Sequence, residues 1–514
     1  MRRRALHSKG HSVTDPRTII IAGGGTAGWM AAAALARFCR RGWRIRLVES
    51  DAIGTIGVGE ATIPQIRLFN DGLGIDEADF LRATGGTIKL GIEFHGWTAP
   101  DHSYLHAFGT VGRGLGLLGF HHYWLRARAA GKALPFSAYA LNNEAALKGK
   151  AARVDGGGSV PAMPYAYHFD AALYAAYLRS YAEARGVERI EGRILDVELT
   201  DAGDIAALRL EGERRVVGEL FVDCSGFRAM LLGDALGVGY KEWTRWLPCD
   251  RALAVPTART GDPIPYTRSI ARKSGWQWRI PLQHRTGNGY VYSSAHISDD
   301  EAAAALLANL DGPALADPRP LRFVTGKRDA FWQRNCVALG LASGFLEPLE
   351  STSIHLVQTG IARLLQFLPA GNIADADRDE YNRLTHFEYD RIRDFLVLHY
   401  HANGRHGEGL WDQCRAMELP EELQRKLALF RASGRISRRE DELFAEPGWL
   451  QVLIGQDILP GAWHPLADEP GEEDLAGFLA AIRTMVERAS DAMPGHVDYL
   501  KAMGACQPEP EPAL

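Results

Sequence analysis

The first apolar run, Thr18 to Ala22 in TIIIA, is short, β-branched and unbroken. That pattern predicts a strand buried on both faces. Gly23 to Gly28 follow as a turn, and the alanine-rich stretch after them, closed by Gly42, predicts a helix. WRIRLVES then alternates apolar and polar up to Glu49 and reads as a second strand, giving a βαβ start. GTIKLGIEFHGW reads as one strand, with Ile88, Leu90, Ile92 and Phe94 on one face and Lys89, Gly91 and Glu93 on the other. Ala171 to Gly186 reads as an amphipathic helix with a glycine stop. RILDVELT and IAALRLEG predict paired strands, GELFVDCSG a buried strand ending in a turn, and GYVYSSAHI and RNCVALGLASG two more. From about Ser353 the pattern turns helical, through SIHLVQTGIARLLQFL, DEYNRLTHFEYDRIRDFLVLHYH, EELQRKLALFRAS and DLAGFLAAIRTMVERAS.

Composition narrows the class. With 514 residues and 46% hydrophobic content, the chain can bury a large core in more than one folding unit. A formal net charge of -5 and no polybasic run argue against nucleic acid and against a membrane surface as partners. No apolar run approaches the roughly 18 residues needed to span a bilayer. The start, MRRRALHSKGHSVTDP, is basic but lacks an apolar segment, and reads as a loose tail rather than a signal peptide. The end, ACQPEPEPAL, is rich in proline and glutamate and is expected to be disordered. Cys39, Cys224, Cys249, Cys336, Cys414 and Cys506 show no close pairing, which points to a reduced, cytoplasmic chain.

The turn GGGTAG fits G-x-G-x-x-G, with Gly23, Gly25 and Gly28 in the key places. The first glycine permits the tight turn, the second lets backbone approach a pyrophosphate, and the third lets helix and strand pack. The helix N-terminus adds amides and partial positive charge. Glu49 follows at about 20 residues, where a carboxylate takes ribose hydroxyls. The motif alone leaves FAD and NAD open. The late strand FVDCSGFRAML, returning to a turn at Gly226, favours a flavin. No second glycine fingerprint for a nicotinamide cofactor is found, so a flavin here would arrive already reduced.

Three further motifs complete a set: W-x-W-x-I-P at Trp276, Trp278, Ile280 and Pro281; GFLEPLESTS from Gly344 to Ser353; and GVGEATIP from Gly57 to Pro64. With the fingerprint, the chain from about Thr18 to about Leu500 resembles the flavin-dependent tryptophan halogenases. The resemblance implies an α/β fold: a Rossmann-like FAD-binding module of the glutathione-reductase or hydroxylase type with mixed sheets, plus a mostly helical C-terminal substrate part. The expected boundaries are a flexible tail at 1–16, the FAD module at 17–355 with substrate-site insertions around 80–165, a helical part at 356–505, and a disordered tail at 506–514. It implies a two-component enzyme, in which a separate flavin reductase supplies reduced FAD. Oxygen and a halide then yield hypohalous acid that halogenates an electron-rich aromatic. A homodimer is expected on the same ground.

The resemblance also assigns residues. Lys89 matches the lysine that receives the oxidant, and Glu350 the essential glutamate; both are catalytic candidates. Gly23, Gly25, Ala27, Gly28, Glu49, Ile194, Leu341 and Ile354 are expected at FAD. The backbone amides of Thr352 and Ser353 are expected at the halide, with Ser353 where the family usually has glycine. His106 and Phe108 are expected to stack on the substrate. Trp276 and Trp278 are expected to stand between flavin and substrate. Each has a plainer reading: core packing for the aromatics, a solvated strand face for Lys89, and a helix-capping segment for Glu350 to Ser353.

The match is weakest where the family clamps a free amino acid. REDELFAEPGWLQVLIGQDILPG is shorter than that lid and offers no paired tyrosines, with Trp449 as one wall. An indole-type substrate other than free tryptophan is therefore expected. His399, His401 and His406 lie close in sequence but read as a helix C-terminus rather than a metal site, and His121 and His122 read as structural. An aromatic monooxygenase and a non-catalytic flavin-binding protein stand as alternatives.

Overall fold

The computed structural model describes residues 16–39, 41–52, 59–158 and 160–506. The expected tails, apart from Pro16 and Cys506, lie outside the described residues, as do Gly57 and Val58 of GVGEATIP.

The strand Arg17–Ala22 lies inside a six-stranded sheet, between Leu220–Asp223 and Trp43–Glu49. The sheet is parallel except for the edge pair Trp332–Gln333 and Cys336–Ala338. The chain leaves the first strand toward one side and returns much later on the other. That reversal opens a crevice at the carboxyl ends of the strands. The helix Thr26–Phe38 explains its own alanines. Gly28 to Leu35 are all buried, because the sheet lies beneath and the helices Ala171–Glu183 and Ser353–Gln366 pack against it. A helix covered on all sides has room only for small side chains where its neighbours approach closely. Gly28 is the closest approach: a Cβ there would meet the Gly23 carbonyl oxygen at 1.9 Å. Gly23 adopts φ +112°, and a Cβ on it would strike the Cys224 carbonyl at 2.3 Å.

A second, seven-stranded sheet carries the tryptophan motif. Its order runs Arg319–Arg322, Arg251–Thr257, Thr286–Tyr292, Gly275–Pro281, Thr267–Arg272, Gly91–His95 and Ser103–Ala107. All neighbours are antiparallel except Thr267–Arg272 beside Gly91–His95. Trp278 pairs with Gly289 across the strands, and its indole fills the space that a Cβ at 289 would need.

The stretch GTIKLGIEFHGW is not one strand. Thr87–Lys89 pairs with Ala166–Asp170 in a small three-stranded sheet, whereas Gly91–His95 joins the large one. The break falls at Leu90, whose N–H donates to the Pro265 carbonyl at 2.7 Å. Sheets thus cover both sides of the stretch, and Lys89 does not lie on a solvated face but is fully buried. The chain end returns to this strand: Ile88 N–H donates to His496 Nε2, and His496 Nδ1 contacts the Pro263 carbonyl at 2.7 Å.

The paired strands Ile194–Leu199 and Ile205–Leu210 form as expected. From Ser353 the chain is helical, through Ser353–Gln366, the 27-residue Asp375–His401, Glu421–Ser433 and Glu472–Asp491. One continuous buried cluster runs from Ile19 to Ala505, so these helices share the core of the α/β part.

Gly28→Ala is expected to destabilise the protein by about 2–3 kcal/mol, since the added methyl runs into the Gly23 carbonyl, which is backbone and cannot swing aside. A urea midpoint equal to that of the unsubstituted protein would contradict this account of the packing.

Candidate active site

A cavity of about 900 Å³ opens at the carboxyl ends of the six-stranded sheet. Gly23, Gly25, Ala27, Glu49, Ile194, Leu341 and Ile354 all line it, and Gly28 does not. Gly28 lies behind the turn, where its role is packing. Gly25 is different: a Cβ there would meet nothing within 4 Å and would project into the cavity. The backbone thus presents an open cradle at the N-terminus of Thr26–Phe38, which suits a pyrophosphate. Arg189 Nε donates to Glu49 Oε1 at 2.6 Å. These residues fit FAD, with glycines at the phosphates and a carboxylate at the ribose.

Trp276, Trp278 and Ile280 project into the same cavity, as alternate residues of one strand must. The two indoles lie 6.1 Å apart, centre to centre. Both are also buried, so core packing and a place in the cavity lining coexist.

Opposite them runs GFLEPLESTS. Leu346, Pro348, Leu349, Ser351 and Ser353 face the cavity. Glu347 and Glu350 do not line it; Glu347 bonds to Trp276 and Tyr400, and Glu350 meets histidines. Ser351 sits at φ +58°, a left-handed conformation that costs a non-glycine residue about 1 kcal/mol. Thr352 then begins the helix Ser353–Gln366 without any side-chain cap, and the Thr352 hydroxyl is buried without a partner. The capping role expected for this segment is therefore absent. The first amides of a 14-residue helix are left to a ligand or to water, with no acidic side chain in the first turn.

Lys89 reaches this segment from behind. Its Nζ donates to the Ser351 hydroxyl at 2.7 Å and to the Thr62 carbonyl at 2.9 Å, and lies 5.5 Å from the Phe108 ring centre. Burial pushes its pKa down to about 7, against the opposing pull of the Glu350 charge. Glu350 is held between two histidines. His106 Nδ1 lies 2.9 Å from Oε1 and 3.0 Å from Oε2. His399 Nε2 lies 2.8 Å from Oε1 as a close charge contact rather than an aligned hydrogen bond, while its Nδ1 meets the Phe395 carbonyl. Burial alone would raise the Glu350 carboxyl; the charge and hydrogen bonding of His106, then the close approach of His399, hold it down at about 2.

His106 and Phe108 therefore face the catalytic candidates directly. His399, expected only as a helix-end histidine, stands in the last turn of Asp375–His401 and completes the Glu350 environment. Spacing offered no signal for it. Phe395 and Phe444 were also missed; their rings stack at 3.9 Å, near His106, and Trp449 meets Phe395 edge-on. The segment before Trp449 is pinned by an ion pair between Lys426 and Glu442, whose side chains are each 2% exposed. His121 and His122 are buried against Gly434 and His464. Among the described residues, no three His, Cys, Asp or Glu side chains converge as metal ligands, and no helix is long and apolar enough to cross a membrane.

Ser351 belongs to both halves of this arrangement: its side chain accepts from Lys89, and the residue lines the dinucleotide cavity. A buried centre that holds Lys89 and Glu350 thus lies next to a cavity whose residues fit FAD, as in a flavin-dependent enzyme. The comparisons agree. The tryptophan halogenase family profile matches residues 18–472. A flavin-dependent halogenase from Xanthomonas campestris, Xcc4156, superposes with a TM-score of 0.94 at 51% identity, covering 96% of this chain and 99% of that one. BrvH, a flavin-dependent halogenase from Brevundimonas sp. BAL3, gives 0.91 at 46% identity, over 95% and 99%. The tryptophan 6-halogenase SttH of Streptomyces toxytricini is 33% identical over 95% of this chain and 99% of its own length. The chain belongs to the tryptophan halogenase family, and it is an FAD-dependent enzyme.

Gly25→Ala is expected to cost under about 1 kcal/mol of stability and to weaken FAD binding about tenfold or more. Equal FAD affinity, read by fluorescence titration, would count against the cradle. Lys89→Met tests the buried ammonium. With a folded pKa near 7 and an ordinary value of 10.5, the unfolded chain binds the extra proton between those limits. Stability contributed through Lys89 therefore rises with pH across that window. Relative to Lys89→Met, the wild type is expected to gain about 3–4 kcal/mol between pH 7 and pH 10. Parallel stability curves for the two proteins would place Lys89 in contact with solvent.

Proposed function

We propose that this enzyme uses reduced FAD, oxygen and chloride or bromide to halogenate an electron-rich, indole-type aromatic other than free tryptophan, with Lys89 and Glu350 at the reacting centre. The observation that carries the reading is the placement of Lys89, fully buried, one hydrogen bond from a residue of the flavin cavity wall. Bound FAD, supplied reduced by a separate reductase, provides with oxygen and halide the hypohalous acid. The protein's own residues do the rest. The uncapped amides at Thr352 and Ser353 hold the halide. Lys89 donates a hydrogen bond to the oxidised halogen, and its depressed pKa also leaves a share of neutral amine near pH 7. Glu350, kept ionised by its histidines, accepts the proton that the ring releases. His106 and Phe108 bound the substrate ring. Trp276 and Trp278 keep that ring from the flavin, which favours halogenation over direct oxygenation.

The lid supports a substrate without an amino-acid head group. Its buried carboxylate, Glu442, is already neutralised by Lys426 and offers no charge to a substrate amine. Six free cysteines agree with a cytoplasmic setting.

The test is a panel of indole, free tryptophan and a phenol, each given a flavin reductase and either halide, read by mass spectrometry. Halogenated indole is expected, with weaker turnover of tryptophan, and Lys89→Ala is expected to lose at least about 100-fold in rate. Equal halogenation by Lys89→Ala would mean that free hypohalous acid does the chemistry. Hydroxylated product would favour an oxygenase.

A further inference from the structure

The mechanism uses one of the two glutamates in GFLEPLESTS. The other, Glu347, is fully buried, and its position is specific. Trp276 Nε1 donates to Glu347 Oε2 at 3.0 Å. The Tyr400 hydroxyl donates to the same oxygen at 2.5 Å. Tyr400 is itself wedged between Trp411, stacked at 5.8 Å, and Trp97, edge-on at 5.7 Å, and Cys249 Sγ lies 3.4 Å from its hydroxyl. The second oxygen, Oε1, has no partner. A buried carboxylate with an unpaired oxygen is costly, and burial pushes its pKa up to about 7. A packing role alone is served as well by a leucine or methionine without that cost. What only an acceptor supplies is a fixed direction for the indole N–H, and so for the ring plane.

We infer that Glu347 is a positioning residue that locks the Trp276 indole in the wall of the flavin cavity, with Tyr400 clamping the carboxylate from the helical side. Trp278 has no such tether; it is held by the gap at Gly289. The wall therefore has one ring fixed by shape and one fixed by hydrogen bonding. An indole free to turn would open a gap between the cavity and the aromatic site, whereas a directed one keeps it closed. This rests on the flavin reading of the cavity, so its first readout is independent of activity.

The indole N–H resonance of Trp276, identified by its loss in Trp276→Phe, is expected to be single and slow to exchange with solvent in the full-length protein. In Glu347→Leu it is expected to split or broaden and to exchange roughly tenfold faster or more. The halogenated product formed per reduced flavin consumed is expected to fall severalfold, with substrate KM little changed. Glu347→Gln, which keeps an acceptor, restores a single resonance and most of the product yield. An unmoved resonance in folded Glu347→Leu overturns the inference, as does a Gln variant as impaired as the Leu variant. Should Glu347→Leu not fold, Tyr400→Phe decides: it leaves the carboxylate but frees it on one side, and an unchanged Trp276 resonance there overturns the clamp. If no halide product forms at all, the resonance still tests the tether, so that failure is distinct from a failure of the halogenase reading.

Discussion

The arrangement turns on the burial of a lysine and a glutamate in one dry region. An unpaired charge there is prohibitively costly, and even a paired one is stable only when its remaining hydrogen-bonding capacity is met. Lys89 spends two donors on Thr62 and Ser351, and Glu350 is met by two histidines. Neither partner set can be supplied by one element. Thr62 comes from the turn before the helix Gln65–Leu73, Ser351 from a left-handed kink, His106 from an edge strand and His399 from the far end of a long helix. Fixing the pair thus fixes the meeting point of the small sheet, the large sheet and the helical part, which explains why all share one core.

The helix Asp375–His401 does double duty at this point. His399 addresses Glu350, and its neighbour Tyr400 addresses Glu347. The two glutamates are separated by a single tight turn, Pro348–Glu350, and adjacent residues of one helix serve both. The reacting centre and the wall of the flavin cavity therefore answer to the same rigid rod.

Much of this was legible in the chain. The glycine turn and its flanking strand and helix are local features, set by spacing within a few dozen residues. The motif residues Lys89, Glu350, Trp276 and Trp278 could be picked out by resemblance, and the last two by strand alternation as well. What could not be read was partnership. His106 and Glu350 are separated by 244 positions, Trp276 and Glu347 by 71, and Tyr400 and Glu347 by 53. No periodicity links such pairs; only the crossing of sheets and helices does. The misreading of GTIKLGIEFHGW as one strand has the same origin. Its alternation is real, but each half answers to a different sheet, and the strand partners lie about 80 and 180 residues further along.

The pairing of Trp278 with Gly289 has a consequence for how this sequence can drift. The indole occupies the volume that any side chain at 289 would claim. The two positions form a single coupled character: a larger residue at 289 is tolerated only after the aromatic at 278 has shrunk, and the reverse order meets no clash. Mutational paths through this strand pair are therefore one-way. Descendants that lose the indole first are free to fill the gap, and once it is filled, the tryptophan cannot return by a single step.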